Sequence, residues 1–137
     1  MKNIEKTVVL NKEIHTVWEV VSTAKGIAQW LMPNNFVAEV GAEFTIQLPF
    51  GPSACKVTNI KKPTYIRFDW DVDGWFIEFK LQGKGEKTEF TLIHGGWKVE
   101  DFVSSAAKMP TKMVHTNMAG GWEKIVGEKL VQVVEQQ

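Results

Sequence analysis

The sequence predicts an α+β domain in which a curved antiparallel sheet is covered by one long C-terminal helix. Three observations lead there. Apolar and polar residues alternate with period two from about residue 36 to residue 95. The stretches on either side repeat with the period of a helix. Turn residues rich in Gly and Pro separate the alternating runs at hairpin spacing. A strongly curved sheet over a long helix can enclose a cavity.

The elements follow in order. Residues 3–10 read as a first strand, with Ile4, Val8 and Leu10 apolar. A helix over about 12–22 carries Ile14, Val17, Trp18 and Val21 on one face. Thr23 reads as the N-cap of a second short helix with Ile27, Trp30 and Leu31 inward, and Pro33-Asn34-Asn35 ends it. About six strands are then expected. Phe44, Ile46 and Leu48 alternate with polar neighbours, Pro49-Phe50-Gly51-Pro52 turns, and a strand covers 53–60. Lys61-Lys62-Pro63 turns again, and Ile66, Phe68 and Trp70 share a face. Asp73-Gly74 is a hairpin turn, because such turns need positive φ. Trp75, Ile77, Phe79 and Leu81 form the next inward row, and after Gly83-Lys84-Gly85 come Phe90, Leu92 and His94. Residues 95–112 read as a loop with a helical turn at Glu100–Ala107. A long helix over about 113–135 closes the chain, with Val114, Met118, Trp122, Ile125, Val126, Leu130, Val133 and Val134 on its apolar side. Gly120-Gly121 inside it costs about 1 kcal/mol per glycine, which implies a close neighbour or a bend there.

Composition bounds the function. With 137 residues the chain is long enough for one cored domain. Sixteen basic and sixteen acidic residues leave no cationic excess for phosphates, which argues against nucleic acid. No apolar run is long enough to span a membrane, and the N-terminus lacks a signal peptide's apolar stretch. A lone Cys55 suits a reducing cytoplasm. The unusual figures are aromatic: Trp 6 and Phe 8 against Tyr 1, which suits a large apolar interior.

Several stretches together resemble the START-like, or SRPBCC, superfamily, and most closely its branch named after the activator of Hsp90 ATPase. They are Val17-Trp18, Gln29-Trp30-Leu31-Met32-Pro33, Gly41-Ala42-Glu43-Phe44, the run from Ile60 to Trp70, His94-Gly95-Gly96-Trp97, and Gly121-Trp122 followed by Leu130. The branch's usual Ala-Pro after the first strand is replaced by Asn11-Lys12-Glu13. The resemblance covers nearly the whole chain and implies a helix-grip fold in a single domain spanning 1–137. It also implies a hydrophobic ligand held between sheet and helix. Some members are cyclases or aromatases, some transport lipids and some contact a chaperone. No shared catalytic motif carries over.

Candidate chemistry is sparse. Asp69-x-Asp71-x-Asp73-Gly74 matches the first half of a calcium loop, but Lys80 stands where the bidentate Glu belongs. His15, His94 and His115 have no metal-ligand spacing, and no metal or cofactor is expected. No Gly-x-Ser-x-Gly elbow exists, and Ser104-Ser105 lies in the expected loop. His94 falls on the inward face with Phe90 and Leu92. It reads as a structural histidine bonded to a backbone carbonyl, with a ligand donor or general base as the other reading. The expected ligand-binding set is Trp30, Phe44, Ile46, Phe68, Trp70, Trp75, Ile77, Phe79, Phe90, Leu92, His94, Trp97, Met118 and Trp122, with Thr88 and Cys55 as further orienting groups. The loop at 95–112, with Phe102, Met109 and Met113, is the expected lid.

Three functions are in play. The first is a non-enzymatic protein binding a lipid-, polyphenol- or aromatic polyketide-like molecule. The second is a cyclase or aromatase working through His94. The third is a module that contacts an Hsp90-type chaperone. A monomer or weak dimer is expected.

Overall fold

The structure, a computed structural model, describes residues 2–48, 51–70, 74–97 and 110–137. The strands are β1 (Ile4–Leu10), β2 (Glu43–Leu48), β3 (Gly51–Lys61), β4 (Tyr65–Trp70), β5 (Trp75–Lys84) and β6 (Lys87–Gly95). Two short helices, α1 (Ile14–Val21) and α2 (Ala24–Trp30), follow β1. The C-terminal helix runs as α3 (Thr111–Lys124), a π-helical segment (Ile125–Leu130) and α4 (Val131–Glu135). All pairings are antiparallel, in the order β1-β6-β5-β4-β3-β2.

Local chemistry sets the helix starts. The Glu13 carboxylate accepts the backbone N–H groups of His15 and Thr16, both at 3.0 Å, and so caps α1. Those bonds hold its carboxyl below the usual carboxylate range. Thr23 Oγ1 accepts the Gly26 N–H at 3.1 Å and caps α2, as the sequence predicts. Gly26 itself is required by packing, because a Cβ there would lie 2.2 Å from the Val20 carbonyl oxygen.

The alternation predicted for β4 and β5 holds, and in β6 it holds as far as Leu92, after which Ile93 is buried as well. Ile66, Phe68, Trp70, Trp75, Ile77, Phe79, Leu81, Phe90, Leu92 and His94 are all buried. The register sets them in rows, with Phe68 opposite Ile77, Phe79 opposite Leu92, and Ile77 opposite His94. Clean alternation with one face wet is what an antiparallel sheet with a single covered face requires.

Three expectations need correction. Five strands, not about six, follow the helices among the described residues. Residues 36–42 are not a strand, because asparagine side chains take the bonds a ladder would use: Asn34 Oδ1 accepts the Phe36 N–H and Asn35 Oδ1 accepts the Thr45 N–H. The second correction concerns Gly120 and Gly121. A Cβ at either would meet nothing within 4 Å among the described residues, so of the two expected causes, a close neighbour or a bend, the neighbour does not hold. The third is that the last helix is not uniformly α but contains the π segment at Ile125–Leu130. The expected turn at 49–50, the Asp71 and Asp73 carboxylates, and most of the expected lid (98–109, with its helical turn, Ser104-Ser105, Phe102 and Met109) lie outside the described residues.

Candidate functional site

The inward rings fall into two connected groups. In the first, Phe36 meets Phe44 at 5.1 Å between centroids, Phe44 meets Phe68 at 5.2 Å, and Phe68 meets Phe79 at 5.8 Å, all edge to face. Trp30, brought in by α2, sits against Phe79 at 5.5 Å and Phe90 at 6.0 Å. These are the spacings aromatic quadrupoles favour.

The second group is built around His94, near the β4–β5 hairpin end where Trp70 pairs with Trp75. The His94 ring stacks on Trp70 at 5.3 Å and meets Trp75 at 5.5 Å, Trp97 at 4.4 Å and Trp122 at 6.0 Å. Trp97 returns over the histidine because Gly95 and Gly96 let the chain fold back. Gly96 has φ +79, and a Cβ there would lie 2.2 Å from the Gly74 carbonyl oxygen. The Trp97 indole then donates to the His94 carbonyl at 2.9 Å. His115, on α3, lies 4.8 Å from the Trp97 ring and hydrogen-bonds the Lys2 carbonyl through Nε2.

His94 is not held as expected. Its ring does not bond a backbone carbonyl. Nδ1 accepts the indole N–H of Trp122 at 3.0 Å, because the C-terminal helix lays that ring directly over β6. An indole can only donate, so Nδ1 carries the lone pair and the proton sits on Nε2. Burial, and to a smaller degree the charge of His115, push the imidazole pKa down to about 3. His94 is therefore neutral at pH 7.

The remaining buried polar side chains are mostly spoken for. Ser53 accepts the Trp70 indole N–H at 2.7 Å, Thr88 donates to the Lys12 carbonyl at 2.8 Å, and Ser22 donates to the Trp18 carbonyl at 2.5 Å. Cys55 Sγ lies 3.7 Å from the Ser53 carbonyl oxygen. Among the described residues three ring nitrogens stand apart: Trp30 Nε1, Trp75 Nε1 and His94 Nε2 are buried without a hydrogen-bond partner.

Of the expected ligand-binding set, Trp30, Phe44, Ile46, Phe68, Trp70, Trp75, Ile77, Phe79, Phe90, Leu92, His94 and Trp122 lie in one buried core, with Trp97 and Met118 half-buried against it. Met113, from the expected lid, is exposed. A depression of about 530 Å³ opens elsewhere, around Asn35, Glu43, Thr45, Ala54, Lys56 and Asp69; of the expected ligand-binding residues Phe44 borders it, together with Cys55, one of the expected orienting groups. Sequence reasoning missed Ser53 and His115. Ser53 keeps the period-two register of Cys55 and Val57, and His115 lies seven residues before Trp122 on the same helix face, so both could have been found. Among the described residues no group of His, Cys, Asp and Glu could hold a metal, and no helix is long and apolar enough to cross a membrane.

A six-stranded antiparallel sheet, two short helices after its first strand and a long C-terminal helix packed on its inner face define the helix-grip class. The chain belongs to the Activator of Hsp90 ATPase homolog 1-like protein family, whose model matches residues 11–135. It is similar to protein BH1534 of Bacillus halodurans, with 42% identity over 98% of this chain and 97% of that one and a TM-score of 0.89. Two more distant structures share the fold. DynU16, from the dynemicin biosynthetic locus, is 21% identical over 98% of this chain but 48% of its own length, with a TM-score of 0.75. A protomer of the Aha1 dimer from Colwellia psychrerythraea is 17% identical over 91% of this chain and 96% of that one, with a TM-score of 0.66. No curated protein matches the chain.

Proposed function

We propose that this protein binds a small hydrophobic molecule, lipid-, polyphenol- or aromatic polyketide-like, in the ring-lined interior between the sheet and the C-terminal helix. The observation that carries this reading is the set of buried ring N–H groups without a partner. A buried donor left unpaired costs about 1–3 kcal/mol. Three in one interior is a standing cost, and a ligand acceptor would lower it at Trp75 and His94, whose rings are in contact. The ring wall would supply dispersion and desolvation, and the Met118 side chain could adapt to the ligand's outline. On this reading the protein is a binding protein without a cofactor, working as a monomer or weak dimer in the cytoplasm.

A cyclase or aromatase is the second reading, and the likeness to a protein from the dynemicin biosynthetic locus is what favours it. His94 is its obvious acid–base group. The geometry suits a hydrogen-bond donor better than a base, since Nδ1 is engaged by Trp122 and the imidazole resists protonation. The family name keeps an Hsp90-type chaperone as the third reading, and a pull-down with the cell's Hsp90 tests it.

The main reading is tested by following backbone amide shifts of the full chain against lipids, polyphenols and aromatic polyketides, beside native mass spectrometry of freshly purified protein. Saturable shifts clustered on Trp70, Phe79, His94 and Trp122, or a carried mass lost on denaturation, are expected. No carried mass and no shift with any ligand would mean that the rings form a filled core and that the partner is a protein.

A further inference from the structure

The same site says what kind of polar group its ligand presents, an inference that rests on the binding reading above. Trp75 and His94 are in edge-to-face contact, at 5.5 Å and 79°, and each ring carries a buried N–H without a partner. The tautomer at His94 follows from Trp122, whose indole N–H occupies Nδ1 and leaves Nε2 as a donor. Adjacent rings thus offer two donors and no acceptor. The neighbouring indoles of Trp70 and Trp97 already donate to Ser53 and to the His94 carbonyl, so they offer no competing N–H.

Among the described residues the buried polar side chains are Ser22, Ser53, Thr88 and His94, with no lysine or arginine. His94 stays neutral, since burial and the nearby His115 oppose its protonation. A carboxylate brought here would be an unpaired buried charge, which is strongly disfavoured. A hydrocarbon would leave both donors open. We infer that the ligand's polar anchor is an uncharged carbonyl oxygen, of a ketone, quinone or lactone, received by the N–H groups of Trp75 and His94. A carboxylate is expected to be the poorer anchor, because among the described residues no lysine or arginine is buried with these rings.

Three probes on one flat tricyclic frame test this with the wild-type full chain: 9-fluorenone (ketone), fluorene (methylene) and fluorene-9-carboxylate. Dissociation constants come from tryptophan fluorescence, and the Trp75 indole and His94 Nε2–H signals from NMR. The ketone is expected to bind about thirty-fold tighter than the hydrocarbon, the gain two net hydrogen bonds supply, and to shift both signals. The carboxylate is expected to bind weakest. In Trp75→Phe the ratio of ketone to hydrocarbon affinity should fall to about five-fold, the share of the remaining His94 bond. Tightest binding by the carboxylate, or equal binding of ketone and hydrocarbon with both signals unmoved, would overturn the inference and leave the binding reading standing. Failure of all three to bind at their solubility limits would overturn the binding reading, and the inference with it.

Discussion

His94 gives the protein a pH dependence whose sign is set by burial. In the unfolded chain an imidazole titrates near pH 6.5, whereas in the fold it is pushed down to about 3, first by desolvation and then by His115. The unfolded state therefore takes up a proton that the native state refuses. This group's contribution is complete above about pH 6.5 and is lost as the pH falls toward the folded value. Between pH 7 and pH 5 the loss comes to about 2 kcal/mol. Urea denaturation of wild type and His94→Gln at the two pH values checks it: wild type should lose that much more than the variant, and parallel losses would contradict the assignment. Trp122→Phe removes the N–H that satisfies Nδ1 and should lower stability by about 1–3 kcal/mol beyond the cost of the smaller ring. The inward direction of His94 was legible from its alternation with Phe90 and Leu92. Its partner was not, because Trp122 lies on another element and no local period fixes the angle at which that helix docks.

At the scale of elements, the C-terminal helix explains its own irregularity. Val114, Trp122, Val126, Leu130 and Val134 are buried, and Met118 is half-buried between them. Their spacing is a strict four. In a helix of 3.6 residues per turn such a stripe drifts by about 40° at each step. The wider π turn at Ile125–Leu130 underwinds the helix and keeps the later members on the sheet. Leu130→Ala should therefore cost about 2–5 kcal/mol, and Val133→Ala, at a half-buried position off the stripe, less than about 1 kcal/mol; thermal and urea melts compare them. Gly96→Ala should cost more than about 1 kcal/mol, because φ +79 and the Gly74 carbonyl leave a Cβ no room. It should also change the Trp97 indole signal. The period-four stripe was present in the sequence and would have betrayed the π turn. The strands were legible because one wet face enforces alternation. Residues 36–42 misled because Asn34 and Asn35 bond the chain through side chains, which apolar periodicity does not register.

For the molecule as a whole, the α+β class with its antiparallel sheet could be read from periodicity, while the pairing of the first strand with the last, β1 on β6, could not. That contact joins residues far apart in the chain and was implied only by the family resemblance. A ligand that fills the interior should raise the stability of the whole domain, by about 2.7 kcal/mol at a hundredfold excess over Kd, visible as a concentration-dependent rise in Tm. The most direct test of ligand binding in this interior is the indole N–H spectrum of the 15N-labelled chain during titration with the panel ligands. The indoles of Trp70, Trp97 and Trp122 already donate to protein acceptors, and those of Trp30 and Trp75 do not. A binding interior predicts a saturable downfield movement of the Trp75 signal, larger than any shift at Trp70 or Trp97, with at least one ligand. Indole signals that stay fixed at saturating concentrations of every ligand would contradict it and leave the rings as a closed core.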